Sequence, residues 1–171
     1  ILHMSLTRRP KSWYNTVRII KLARYGYINK GDLLPEILKG DTMQIAIIAS
    51  DMKKELMTQF CIAYCGVLSK HHLCATSITA KYISEATGLK IEKLLAGEQG
   101  GEQQITSRVA YNEIDLLLYF RDTRPGRYSG EIENELMRMC DQSNVPVATN
   151  IATAEVLIMA LDRGDLDWRE I

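Results

Sequence analysis

The chain has 171 residues, with 21 Lys and Arg balanced by 21 Asp and Glu. That length suits one domain with an appendage and is ample to bury a core. The even charge points to neither a nucleic-acid nor a membrane partner, and no apolar stretch is long enough to span a bilayer.

Residues 1–42 are set apart by charge. Basic residues from Arg8 to Lys39 outnumber Asp32, Glu36 and Asp41, which leaves the remainder of the chain net acidic. Trp13, Val17, Ile20 and Tyr25 give an imperfect helical pattern ended near Gly26, and Leu33 to Leu38 a second short helix. The expectation is a basic, helical N-terminal extension docked on the body or on a neighbouring subunit. Contact with an anionic surface is the other reading.

Residues 43–171 alternate short apolar runs with helical patterns. Ile45 to Ala49 predicts a buried strand, with Ser50-Asp51 capping a helix from about Lys53 to Leu68. Cys61 and Cys65 share a face of that helix without His or carboxylate converging on them. With Cys74 and Cys140 they read as reduced, mostly buried thiols of a cytoplasmic protein. His72 to Ala75 predicts a second strand and Ile78 to Ala86 a helix stopped at Gly88. Ile91 to Leu95 predicts a third strand, followed by the glycine turn Gly97 to Gly101 and a helix over Ile105 to Tyr111. Asp115 to Phe120 is apolar on both faces, as interior strands of parallel sheets are. A loop from Arg121 to Gly130, a helix to Asp141, a strand Val145 to Ala148 and a helix to Leu161 complete the chain. The fold class expected is α/β, a three-layer Rossmann-like domain with a five-stranded parallel sheet.

Such sheets bind ligands beyond the carboxyl ends of their strands. That rule gathers Ser50-Asp51-Lys54, Thr76-Ser77-Thr79, Gly97 to Glu102, Asp122 and Thr149-Asn150 around one crevice. Hydroxyls and a lysine at helix starts suit a phosphate, and glycines permit close approach of backbone to a ligand. Each hydroxyl taken alone is a common helix cap. No G-x-G-x-x-G follows the first strand, and no Walker A or H-E-x-x-H pattern occurs, so no cofactor or metal is expected. A small phosphorylated molecule beside a carboxylate suggests proton abstraction, with Glu102 as the base.

At these residues the chain resembles methylglyoxal synthase. The matching stretches are Ile45 to Lys54, Leu73 to Thr79, Glu85 to Leu89, Gly97 to Ile105, Phe120-Arg121-Asp122 and Val145 to Ala154. They run in order with almost no gaps and leave out the first segment. The resemblance implies a homohexamer and a metal-free lyase that converts dihydroxyacetone phosphate into methylglyoxal and phosphate. It puts Lys54, Thr76, Ser77, Thr79, Gly97 and Gly101 on the phosphate side, with Glu102 as base and Asp51 beside the substrate. Several positions depart from the family. Glu102 stands where the family base is Asp, Ser50 replaces a His, and Ile78 and Ala96 replace phosphate-binding hydroxyls. The family's Pro-His-x-x-Asp loop corresponds to Arg127 to Ile132, with Ser129 and Ile132 on the His and Asp if ungapped, or Tyr128 and Glu131 with one gap. Either way the His is lost; Arg121, Arg124 and Arg127 could reach an anion in its place or form a solvated cluster. Three functions follow from this mixed match: a phosphate lyase, a module that has lost catalysis and senses an anionic metabolite, or a relative acting on another small phosphate or carboxylate substrate through the arginine-rich loop.

Overall fold

A computed structural model describes residues Thr42–Arg124 and Gly130–Leu166, which belong to one compact unit. The helical extension expected before Met43, and the loop residues Arg127, Tyr128 and Ser129, lie outside the described residues.

Five strands form one parallel sheet in the order β3-β2-β1-β4-β5: β1 Gln44–Ala49, β2 His72–Thr76, β3 Ile91–Leu94, β4 Leu116–Phe120 and β5 Val147–Ala148. The helices are α1 Lys54–Ala63, α2 Cys65–Leu68, α3 Ser77–Thr87, α4 Gly101–Ala110, α5 Gly130–Gln142 and α6 Ile151–Asp162. The alternation of side chains along a strand divides the core into two layers. Ile45, Ile47, Leu116 and Leu118 join Met57, Phe60, Ile83 and Ile158, so α1, α2, α3 and α6 cover one face. Ala46, Ile48, Leu117 and Tyr119 join Ile105, Val109, Leu136 and Cys140, so α4 and α5 cover the other. β4 is buried at every position, as expected of a strand covered on both faces.

The differences from expectation are local. The long helix expected from Lys53 to Leu68 opens with a 3₁₀ turn over Asp51–Lys53 and breaks at Tyr64 into α1 and α2. Ser50 does not cap it: its hydroxyl bonds no backbone N–H, although its own amide donates to the Phe120 carbonyl at 3.0 Å. At α6 the capping side chain is Asn150, which accepts from the Thr153 amide at 3.0 Å. Gly88 closes α3 with φ 72, as its C-terminal position predicts. Burial pushes the Cys61 thiol up to about 12 and that of Cys74 to about 11, so both are protonated packing groups. Among the described residues no cluster of three His, Cys, Asp or Glu could hold a metal, and no helix is long and apolar enough to cross a membrane.

Candidate active site

The chain runs outward from β1 through β2 to β3, then returns to the other side of β1 for β4 and β5. The switch in strand order therefore falls between β1 and β4, where α/β sheets open a crevice at their carboxyl ends. A cavity of about 1100 Å³ opens instead at the amino ends, lined by Gln44, His71, Gly88 and Glu92 among others. Its lining includes neither the strand-tip hydroxyls nor the glycine turn, so chemistry and not volume locates the candidate site.

The tips of β2 and β3 meet through the Ser77 amide, which donates to the Leu95 carbonyl at 3.3 Å. Thr76 and Thr79 are buried there, and the Thr76 hydroxyl donates to that of Thr79 at 3.1 Å. Their hydroxyls therefore share one hydrogen bond and keep lone pairs for further partners. Ile78, between them in sequence, is 48% exposed and offers no polar group.

The glycine turn fixes Glu102. Gly97–Gln99 form a 3₁₀ turn, Gly100 takes φ +100, and the Gly101 amide donates to the Ala96 carbonyl at 2.9 Å. A Cβ on Gly101 would fall 2.1 Å from the Leu95 carbonyl oxygen, so only glycine lets α4 start this close to β3. Gln104 Oε1 accepts from the Leu95 amide at 2.9 Å and ties the same two elements. Glu102 then occupies the first turn of α4, with Oε1 3.8 Å from where a Cβ on Gly97 would stand. Its carboxyl is raised above the ordinary carboxylate value, first by burial, then by the charge of Glu133, against a smaller lowering by the Tyr119 hydroxyl.

At the tip of β1, Lys54 is 12% exposed and its ammonium pairs with Asp51, which is 88% exposed. Asp51 thus stands in solvent, holding a cation whose stem is buried. At the tip of β4, Arg121 Nη1 donates to Glu133 Oε1 at 2.6 Å, and Arg124 pairs with Asp122. The two arginines are engaged in ion pairs and not simply solvated. Ser50 Oγ and Arg121 Nε are buried without a hydrogen-bond partner among the described residues. Both belong to residues at the ends of the two strands flanking the switch, where an oxygen-rich ligand would satisfy them.

The structure therefore sets Thr76, Ser77, Thr79, Gly97, Gly101 and Glu102 at the joined tips of β2 and β3, and Asp51 with Lys54 at the tip of β1. Sequence reasoning missed Tyr119 and Glu133. Glu131 and Ile132, the two positions aligned with the family acid, are exposed, whereas the buried carboxylate of α5 is Glu133, 6% exposed. Tyr119 was absorbed into an apolar run; its signal was the two-residue spacing to Arg121, which puts both on one face of the strand.

Comparison with known proteins accords with this geometry. The family model described as MGS-like domain matches residues 59–149. Methylglyoxal synthase of Caldicellulosiruptor saccharolyticus is 57% identical over 129 residues, covering 75% of this chain and 92% of that protein. Methylglyoxal synthase of Oceanobacillus iheyensis is 50% identical over 129 residues, again 92% of its length. The crystal structure of methylglyoxal synthase from Elizabethkingia anophelis NUHP1 superposes with a TM-score of 0.62 at 32% identity, covering 68% of this chain and 77% of that one. Glycine turn, strand-tip hydroxyls and relatives agree: the chain belongs to the methylglyoxal synthase family.

Proposed function

We propose that this chain is a carbon–oxygen lyase that eliminates phosphate from dihydroxyacetone phosphate to give methylglyoxal. The observation that supports it best is Glu102: a half-buried carboxylate of raised proton affinity, on the first turn of a helix, beside a glycine turn and two buried hydroxyls. A general base works best when its pKa lies near the operating pH, and the environment of Glu102 moves it that way.

In this reading Lys54, Thr76, Ser77, Thr79 and the backbone of Gly97 and Gly101 hold the phosphate. Glu102 removes a proton from the hydroxymethyl carbon, and the electron pair moves into the bond to the carbonyl carbon to give an ene-diolate. Its collapse expels phosphate as the C–O bond breaks, and the enol left behind takes up a proton on carbon to become methylglyoxal. Asp51 holds Lys54 near the anion, and the partnerless Ser50 Oγ and Arg121 Nε are placed to bond substrate oxygens. Residues 43–171 are the catalytic unit, working in the cytoplasm as a homo-oligomer, a hexamer by family resemblance, and residues 1–42 are an extension to it.

Purified protein incubated with dihydroxyacetone phosphate tests the reading. Methylglyoxal and phosphate should form in equal amounts and be lost in Glu102→Gln. The lost His and the apolar Ile78 favour a second reading, a sensor that binds phosphate compounds without turning them over. Folded protein stabilised by phosphate that yields no methylglyoxal above the blank would establish the sensor and reject the lyase.

A further inference from the structure

Tyr119 and Arg121 stand two residues apart at the carboxyl end of β4, on the face that α4 and α5 cover. There the tyrosine hydroxyl donates to Glu102 Oε1 at 3.5 Å, and the Arg121 guanidinium donates to Glu133 Oε1 at 2.6 Å. Two carboxylates from neighbouring helices thus converge on one strand end, served by one phenol and one guanidinium. Glu102 has one more rotatable bond than an aspartate, so something must select its rotamer. Among the described residues Tyr119 is the side chain that donates to it.

We propose that Tyr119 and Glu133 govern the catalytic base: Tyr119 aims Glu102 by donating to Oε1, and Glu133, held at the same strand end by Arg121, presents it with a like charge. Tyr119 and Glu133 are positioning residues in this scheme and need not touch the substrate. Among the described residues the charged group that acts on Glu102 is Glu133 from α5, whose own charge is paired with Arg121 at the end of β4. The neighbouring pairs Asp122–Arg124 and Asp51–Lys54 are internally neutralised. Burial and Glu133 raise Glu102, whereas Tyr119 lowers it, and the phenol is itself held well above its usual range by burial and by the two carboxylates. The two neighbours thus act in opposite senses, so their removal should move Glu102 in opposite directions.

The inference rests on Glu102 being the base, so it is tested by a measurement that needs no turnover. In protein labelled with ¹³C at the glutamate carboxyl, the Glu102 resonance is assigned by its loss in Glu102→Gln and its titration midpoint is followed. Tyr119→Phe should move the midpoint up by roughly half a pH unit, less than a short charge-assisted bond would give because this one is long, at 3.5 Å. Glu133→Gln should move it down by at least roughly half a unit, the effect of removing a nearby like charge. The acid limb of kcat/KM should follow both shifts, with kcat lowered several-fold in Tyr119→Phe. A midpoint unchanged in either folded variant, or moved the same way in both, overturns the proposal. Should Glu133→Gln fail to fold, Arg121→Gln strips Glu133 of its counter-charge and must raise the midpoint; an unmoved midpoint there is equally fatal. Wild-type protein that forms no methylglyoxal would reject the function proposed above, while the titration still decides the roles of Tyr119 and Glu133.

Discussion

Glu102 is held in a place where its charged form is unwelcome, and that has a cost in stability with a definite sign. Its folded pKa lies above the ordinary value of 4.5. The protonated form therefore favours the fold below that value, and the advantage is lost as pH rises through the folded pKa. Glu102→Gln keeps the neutral shape at every pH. Its melting temperature should exceed that of wild type at pH 8 and converge with it near pH 4, while elimination activity falls by about 10²- to 10⁴-fold. A lower melting temperature at pH 8 would show that the ionised carboxylate is stabilised by contacts stronger than those seen here. Lys54 carries the complementary expectation. A charge-assisted bond to phosphate contributes roughly 1.5–3 kcal/mol, so Lys54→Met should lower kcat/KM about 10- to 100-fold with its main effect on KM. A change confined to kcat would place the ammonium on the reacting atoms and away from the phosphate.

The element that aims Glu102 is the junction of β3, the glycine turn and α4. Its tightness is steric, since a Cβ on Gly101 collides with the Leu95 carbonyl at 2.1 Å and approaches that of Ala96 at 3.0 Å. Gly101→Ala must push the start of α4 away from the strand. The expected loss is about 1–3 kcal/mol of stability, a melting point lower by several degrees, and a larger relative loss of turnover because Glu102 rides on the displaced turn. Gly97→Ala makes the informative contrast, because its added Cβ meets only Glu102 Oε1, at an ordinary 3.8 Å. Its fold should be spared. This junction was legible only in part, because glycines before a helix are more often an ordinary loop, whereas β1 and β4 were legible because burial on both faces leaves them continuously apolar. Ser50 and the acid of α5 were not legible. Capping is decided by which amide comes within reach, and Ser50 reaches none. Glu133 looks like one of several surface acids, and its burial depends on Arg121, twelve residues away in sequence across a loop. Contacts of that kind are set by how α5 docks on the sheet, which no local pattern encodes.

Across the whole sheet, the carboxyl end holds the proposed active site and the amino end fastens the strands. The Met43 carbonyl accepts from the His72 amide at 2.9 Å, and the Met43 amide donates to His71 Nδ1 at 3.2 Å. The Gln44 amide donates to Asp115 at 2.8 Å, tying the start of β1 to the start of β4. The bond to His71 exists only while Nδ1 is unprotonated. Burial, then Lys70, lowers His71 below its ordinary 6.5; Asp162 opposes this, and His72 adds a further lowering. For a base whose folded pKa is depressed, the neutral form supports the fold fully above 6.5, and that support is lost as pH falls from there to the folded pKa. Glu102 pulls the other way over its own range, because its protonation on acidification relieves a buried charge. The two are separated by substitution at opposite poles of the molecule. His71→Asn places an acceptor near the position of Nδ1 without a titrating group, so its melting temperature should fall less than that of wild type between pH 7.5 and pH 5.5. In Glu102→Gln the acid loss should instead be steeper than in wild type, since the relieving protonation is gone. Their melting curves against pH should therefore diverge on either side of wild type. Parallel curves for all three proteins would mean that neither group contributes to the acid response, and that the fastening of β1 at its amino end does not depend on the protonation state of His71.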